Sequence, residues 1–510
     1  MDGQDRLYTT FAAEVPRKFH DNPKIVEAKE EEIRRWKEYD TVDQVVRSVD
    51  MQVLSSRWVV TEKCPEQFKA RLVVRGFEED VYPQSDSPTA SRESFKSFLA
   101  LAANEGFQIK NMDVKSAFLQ GTPLNRDVYM EPPVEFKRPG IIWKLKKTVY
   151  GLYDASRSWY FAVKEELINF GMKSVSGDEA FFSMIRNKEL FWMTVLHGDD
   201  FPVAGSQEFL KLISTKLQNR FTFGKMELTK FKFTGLNIEQ NKEGIYVDQI
   251  EYIQSIQPIS SYRMEGNDKE KLNKAELKAY RGLTGQLNWA AESTRPDLAF
   301  DIRHLATGNK FAQISDIKKA NKILKKAKFE NVKIKYSRLG PWRDLKIIAY
   351  TDSSFKNSED LVKSVGGRVS FLANSQGMVS PLNWKSKTIQ QVCKSVKSAE
   401  TRSLEQGMED TIYTSRIISE IMTGKVGGHI PIEHRIDSKT LHDSISSTKP
   451  IEEKTIRHLL AWIKQQKYDF QNIKTIDWIP NQLMLADILT KKGVRADPLL
   501  SAVQQGRIDA

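Results

Sequence analysis

Residues 190–205 read LFWMTVLHGDDFPVAG: an apolar stretch, four polar or small residues, then a second apolar stretch. Leu190, Trp192, Thr194 and Leu196 interleave with Phe191, Met193 and Val195, so both faces are mostly apolar. That pattern predicts a strand buried on both sides, folding back at His197-Gly198-Asp199-Asp200.

Upstream, residues 1–21 are polar and aperiodic, which predicts a flexible N-terminal arm. Asn22-Pro23 reads as an N-cap with proline at the first helical position, ahead of a sparse stripe of Ile25, Ala28, Ile33 and Trp36. Strands are predicted at 52–60 and 68–75, and alternation puts Lys69, Arg71 and Arg75 on one face. Ser91 is expected to cap a helix with Phe95, Phe98, Leu99 and Leu101 inward. A strand then runs through Met112, Asp113 and Val114. After a strand at 141–147, Ser156 is expected to cap a helix carrying Trp159, Val163, Leu167 and Phe170. A strand at 180–185, the hairpin, a helix at 206–219 and a further strand follow, predicting an antiparallel sheet backed by helices.

Residues 245–340 are mostly helical and are most basic at 317–338. From 344 the pattern changes to three strands, a long helix at 395–422, a strand ending at Asp437, a helix at 452–467, a strand and a last helix at 481–492. That is a mixed α/β unit. Asp352, Glu400 and Asp437 stand where strands end or helices start, and Asp487 lies in the last helix.

The length of 510 residues suggests roughly three domains. No apolar run approaches the roughly 20 residues of a membrane span, and no secretory signal opens the chain. Cys64 and Cys393 are too few and too distant for a disulfide scaffold. A net charge of +12 suits a polyanionic partner, or simply a soluble basic protein.

Adjacent Asp199 and Asp200 at the tip of a buried hairpin repel each other, and a divalent cation would relieve that repulsion. An ordinary Asp-Gly turn is the plainer reading. Asp113 at a strand end is a metal-ligand position or a capping residue. Lys69 and Arg71 suit phosphate or a solvated edge, and the lysines of 317–338 suit phosphates or plain solvation.

Several segments in register decide among these. KARLVVRGF (69–77), NMDVKSAFLQG (111–121), TVYGLYDASRSWY (148–160), LHGDD (196–200), FTGLNI (233–238) and STRPDLAF (293–300) come in family order. YTDSSF, WKSK, SAET, RIDSKTL and LADILTK follow. The chain resembles the reverse transcriptase–ribonuclease H region of copia-type long-terminal-repeat retrotransposon polyproteins.

The resemblance implies an α+β, mixed α/β protein: a right-hand polymerase followed by a ribonuclease H-like domain. Fingers and palm would span 22–244, thumb and connection 245–343, the ribonuclease H-like domain 344–495, and a tail 496–510. Asp113, Asp199 and Asp200 would be the polymerase carboxylates. Asp352, Glu400, Asp437 and Asp487 would be the nuclease set. Glu400 is favoured over nearby Glu405 because it stands just before the apolar stripe of Leu404, Met408 and Ile412. Each set would hold two Mg²⁺ (or Mn²⁺) ions about 3.5–4 Å apart. Lys69 and Arg71 would meet the triphosphate. Tyr150 and Gly151 belong to the template-and-nucleotide motif. Phe118 would screen out a 2′-hydroxyl, unless it is a core residue. Implied partners are an RNA template, a DNA primer, RNA–DNA hybrid and dNTPs, with no membrane; the implied location is cytoplasmic or nuclear.

Two departures stand out. The family's Tyr-x-Asp-Asp reads His197-Gly198-Asp199-Asp200, and its Lys-Gln-x-Pro reads Tyr153-Asp154-Ala155-Ser156. Loss of positioning costs rate even with all ligands present. The alternatives are a polymerase-inactive nucleic-acid-binding protein and a hybrid-specific nuclease. No Asp-Thr/Ser-Gly protease motif or His-His-Cys-Cys module is found, so a processed, truncated or host-retained product is expected.

Overall fold

The hairpin at 190–205 lies in a six-stranded sheet. Its order is Phe223–Leu228, Gln108–Val114, Asp200–Gly205, Glu189–Val195, Asp178–Arg186 and Lys173–Val175. Every neighbouring pair is antiparallel. The computed structural model describes residues 14–307, 311–355, 363–449 and 453–508.

The two-faced apolar strand has a direct cause. Met193 and Val195 pack with Phe95, Phe98 and Leu99 of the helix Arg92–Glu105. Trp192 and Leu196 face the opposite core, with Trp159 and Val163 of the helix Ala155–Asn169 and Phe209 and Ile213 of Gln207–Gln218. The sheet is sandwiched at this strand, so neither of its faces is left to solvent.

The strands Ser56–Cys64 and Gln67–Val74 pair as a hairpin. Ala70, Leu72 and Val74 are buried against Ile25, Ile33 and Trp36 of the helix Pro23–Glu38. Lys69, Arg71 and Arg75 share the other face, as alternation predicts. Farther along, STRPDLAF is a buried strut. The Arg295 guanidinium is fully buried, gives two 2.9 Å bonds to Asp297, and donates to the Ala327 and Glu330 carbonyls at 2.8 and 3.0 Å.

The second unit is a five-stranded mixed sheet: Val379–Thr388, Val365–Ala373, Lys346–Ser354, Ile432–Ile436, Thr475–Trp478. The first three strands pair antiparallel and the last two join in parallel. The helix Val396–Thr423 covers this sheet and also reaches the first one. Tyr413 Oη donates to the Gly177 carbonyl at 2.7 Å, and Ser176 N donates to Glu420 Oε1 at 2.9 Å. One apolar cluster runs from Phe98 and Met193 through Phe233 and Tyr336 to Ile347 and Met408.

Several expectations need correction. Residues 481–492 form two 3₁₀ turns, Asn481–Leu483 and Asp487–Leu489, rather than a helix. Met484, Leu485, Ala486 and Leu489 are all buried there, which one helix face could not achieve. The helix at 155 starts at Ala155 after Asp154, so Ser156 does not cap it, and Asp154 is taken up by Arg126 at 2.6 Å. Residues 496–510, read as a tail, contain the helix Asp497–Gln505, whose Leu499, Ala502 and Val503 enter the core. Of the arm at 1–21, residues 1–13 lie outside the described residues. Val15 N donates to the Val60 carbonyl at 2.8 Å, so that part is tied down. The helix read at 452–467 begins outside the described residues; it is seen as Arg457–Lys464 running into a π turn, Gln465–Asp469.

Candidate active sites

Asp113 and Asp200 sit directly opposite each other on adjacent antiparallel strands. Asp199 is exposed at the tip of the turn that joins Glu189–Val195 to Asp200–Gly205. The turn is closed by His197 N to the Asp200 carbonyl at 3.0 Å and Asp200 N to the His197 carbonyl at 3.2 Å. Val114 N donates to the Asp199 carbonyl at 3.2 Å, tying the turn to the neighbouring strand. Gly198 carries φ +64°, the left-handed region that glycine tolerates. The buried Trp159 indole N–H donates to the Gly198 carbonyl at 2.8 Å. Burial, then the charges of Asp199 and Asp113, push the Asp200 carboxyl up to about 6. The strand partner leaves little room: a side chain at Gly224 would meet Asp113 Oδ2 at 2.8 Å.

Phe118 stands five residues after Asp113, partly buried against two apolar cores. Its ring meets Tyr150 edge-on at 5.3 Å, and the Arg71 guanidinium lies 5.6 Å from the Tyr150 ring centre. Arg71 Nε is buried and has no hydrogen-bond partner. Burial pushes the Tyr150 hydroxyl up to about 12, so it stays protonated. Gly151 has φ +98°, and a Cβ there would strike the Val74 carbonyl at 1.9 Å. It allows the close approach that joins this loop to the Lys69–Arg71 strand, where Val74 N donates to the Tyr150 carbonyl at 2.8 Å. A cleft of about 300 Å³ beside the turn is lined by Phe118, Trp159, Gly198, Ser85, Pro88 and Ser156.

The second cluster is tighter. Asp352, Asp437 and Asp487 offer carboxylate oxygens all within 4.8 Å of one another. Asp113, Asp199 and Asp200 do not form such a group. Asp352 is 1% exposed in mid-strand, because the strand runs on to Ser354. Thr490 Oγ1 donates to Asp352 Oδ2, and Lys491 Nζ lies 2.6 Å from Asp487 and 3.4 Å from Asp352. With its amide set by its neighbours, Asn481 donates to Asp437 at 3.1 Å and Asp487 at 3.0 Å. Glu400, in the second turn of the long helix, accepts from Ser353 N and Oγ at 3.2 and 2.8 Å and shares a cleft with Asp352 and Asp437. Glu405 lies away from that cleft.

Burial pushes the Asp352 carboxyl up to about 7, although Lys491 and Thr490 pull it down. Burial and the Asp352 charge raise Glu400 well above the usual range. Burial works against the Lys491 ammonium, but Asp352, Asp487 and Asp437 together hold its pKa above the ordinary lysine value. A crowded, buried set of carboxylate oxygens that resists full ionisation is a fitting host for a hard divalent cation.

The sequence reading missed Lys491, Thr490, Asn481 and Ser353. Lys491 had a signal, lying four residues after Asp487. It also missed Trp159 as a partner of the turn. The departure at 153–156 has a structural account: Asp154 joins Glu79 in clamping Arg126, and Tyr153 packs against Tyr82 with ring centres 6.0 Å apart.

An antiparallel sheet carrying three carboxylates around one hairpin, followed by a second mixed sheet with four more, is the arrangement of a right-hand polymerase with an appended ribonuclease H-like fold. A foamy viral protease–reverse transcriptase, solved in complex with double-stranded DNA, shares this fold with a TM-score of 0.55, 13% identity, and 89% of this chain against 70% of that one. Residues 39–271 match the reverse transcriptase (RNA-dependent DNA polymerase) family. The Pol polyprotein of transposon RE1 from Arabidopsis thaliana is 27% identical over 395 residues, 72% of this chain and 26% of that protein. That of transposon TNT 1-94 from Nicotiana tabacum is 26% identical over 312 residues, 54% of this chain and 23% of its own length. The chain is therefore similar to copia-type retrotransposon reverse transcriptase polyproteins, and it spans about a quarter of the length of these relatives. Among the described residues, no helix is long and apolar enough to cross a membrane.

Proposed function

We propose that this chain is an RNA-directed DNA polymerase that also cuts the RNA of RNA–DNA hybrids. The observation that carries the polymerase reading is the pairing of Asp113 with Asp200 across two strands, with Asp199 at the turn beside them. Fingers and palm occupy 22–244, thumb and connection 245–343, and the nuclease unit begins at 344. Asp113, Asp199 and Asp200 would hold divalent cations at the first site, and Asp352, Glu400, Asp437 and Asp487 at the second. Mg²⁺ bound there would stabilise the charge that develops in in-line phosphoryl transfer.

The chain's own groups do the rest. Lys69 and Arg71 present cations toward the incoming dNTP, with Arg71 steadied by the Tyr150 ring. Phe118 fills the space a 2′-hydroxyl would need, braced edge-on by Tyr150. At the nuclease site, Ser353 and Asn481 orient the Glu400, Asp437 and Asp487 carboxylates. Lys491 partly neutralises the set through Asp487 and Asp352. The tighter grouping of the second cluster favours a second reading, a hybrid nuclease whose polymerase half only clamps the substrate.

Primer extension on an RNA template with Mg²⁺, then Mn²⁺, separates the two. Metal-dependent extension by the purified protein is the expected result. Cleavage without extension would leave the nuclease-only reading.

A further inference from the structure

The turn that carries Asp199 is built from a residue that cannot restrain it. Gly198 sits at φ +64°, and a Cβ placed there would meet nothing within 4 Å. No steric wall around its Cα therefore holds this corner. Three backbone bonds close the turn: two between His197 and Asp200, and Val114 N to the Asp199 carbonyl at 3.2 Å. A glycine so placed has more backbone freedom than any other residue.

Beside the backbone bond from Val114, a side chain from outside the turn holds the Gly198 carbonyl. Trp159 is 2% exposed, its ring packs edge-on against Phe221 at 5.0 Å, and its indole N–H reaches the Gly198 carbonyl at 2.8 Å. The donor comes from a helix held on the core side of the sheet, so it is rigid where the turn is not. The restraint works in both directions. If the turn swings away, a buried indole N–H loses its acceptor, and an unpaired buried donor is costly. The geometry points to Trp159 as a positioning residue that locks the Asp199–Asp200 turn through the Gly198 carbonyl. This inference rests on reading that turn as the polymerase centre, and it assigns Trp159 no contact with substrate.

Two substitutions test it on the full chain. Trp159→Phe keeps a ring in the core and removes only the donor. Hydrogen exchange is read at the amides of Val114, His197 and Asp200, whose bonds close the turn, with no nucleic acid present. In Trp159→Phe those amides exchange about tenfold faster, while the melting temperature stays within about 3 °C of wild type. Primer extension loses about tenfold in kcat, with the dNTP KM and the primer–template Kd within about twofold.

Adding Gly198→Asn to Trp159→Phe tests the mechanism. Asparagine tolerates the left-handed region and has room there, so it stiffens the corner from within. Exchange returns to within about threefold of wild type and most of the rate returns with it. A residue that mattered only for packing would not be rescued in this way. Unchanged exchange in Trp159→Phe, or no rescue by Gly198→Asn, overturns the inference. If wild type shows no extension, the proposed function fails, and the exchange data still decide whether Trp159 locks the turn.

Discussion

Asp199 stands exposed at the tip of a turn, one residue after a glycine, whereas Asp352 lies 1% exposed in the middle of a strand. Around Asp352, Thr490, Lys491 and Asn481 converge from a single irregular segment, and Ser353 holds Glu400 from the strand itself. The Asp352 cluster is restrained and partly neutralised by its own surroundings. The cluster of Asp113, Asp199 and Asp200 is open, Lys69 and Arg71 lie on a separate hairpin, and the Trp159 hydrogen bond reaches its turn from a helix. The contrast suits the tasks proposed for the two sites. A site that must admit a nucleotide and a moving primer end has to stay open, while hydrolysis of a bound hybrid works from a fixed cluster.

The comparison can be broken most forcefully at the restrained site. Asp352→Asn should lower hybrid cleavage by at least about 10²–10³-fold, measured on a labelled RNA strand, and leave primer extension within about twofold. Loss of both would mean the sites share machinery through the apolar cluster that joins them. At the open site, Arg71→Met should raise the dNTP KM about 10- to 30-fold in steady-state extension, because a charge-assisted contact is lost. Hybrid cleavage should not respond, since Lys491 supplies that site's cation internally.

Phe118→Val is the next smaller effect. Opening the space beside Tyr150 should raise ribonucleotide use relative to dNTP about tenfold or more, read by competitive incorporation, with the dNTP rate held within a few-fold. The smallest effect is on stability. The Asp352 carboxyl has a folded pKa of about 7 against an ordinary 3.8, so the folded state holds the extra proton between those values. Stability of the metal-free protein should therefore fall as pH rises through that window and level off above about pH 7. Asp352→Asn removes the penalty, and in EDTA at pH 8 it should melt on the order of 2–4 °C above wild type, while Mg²⁺ stabilises only wild type.

The hairpin and its flanking helices were legible because one strand is apolar on both faces, and a sandwiched sheet is what makes it so. The candidate carboxylates were named because the motifs that hold them come in family order, and not from alternation or spacing, which left Asp113 as a ligand or a cap. What could not be read is non-local. Asp487 was placed on a helix because LADILTK has helical composition. Its real form, a 3₁₀ turn, follows from close packing of Ala486, Leu489 and Thr490 over Gly367. The helix Asp497–Gln505 had a readable signal in Leu499, Ala502 and Val503, with Pro498 at its start and a left-handed Gly506 after it. Nor could alternation or spacing show that Trp159 would meet a carbonyl 39 residues away.

The most direct test of two separable carboxylate centres in one chain is a single-tube assay of Asp199→Asn on an RNA template annealed to a labelled DNA primer, with extension and template cleavage scored together. The account predicts that extension disappears while the RNA is still cut at the wild-type rate. Loss of cleavage along with extension, in a protein that still melts like wild type, would contradict it.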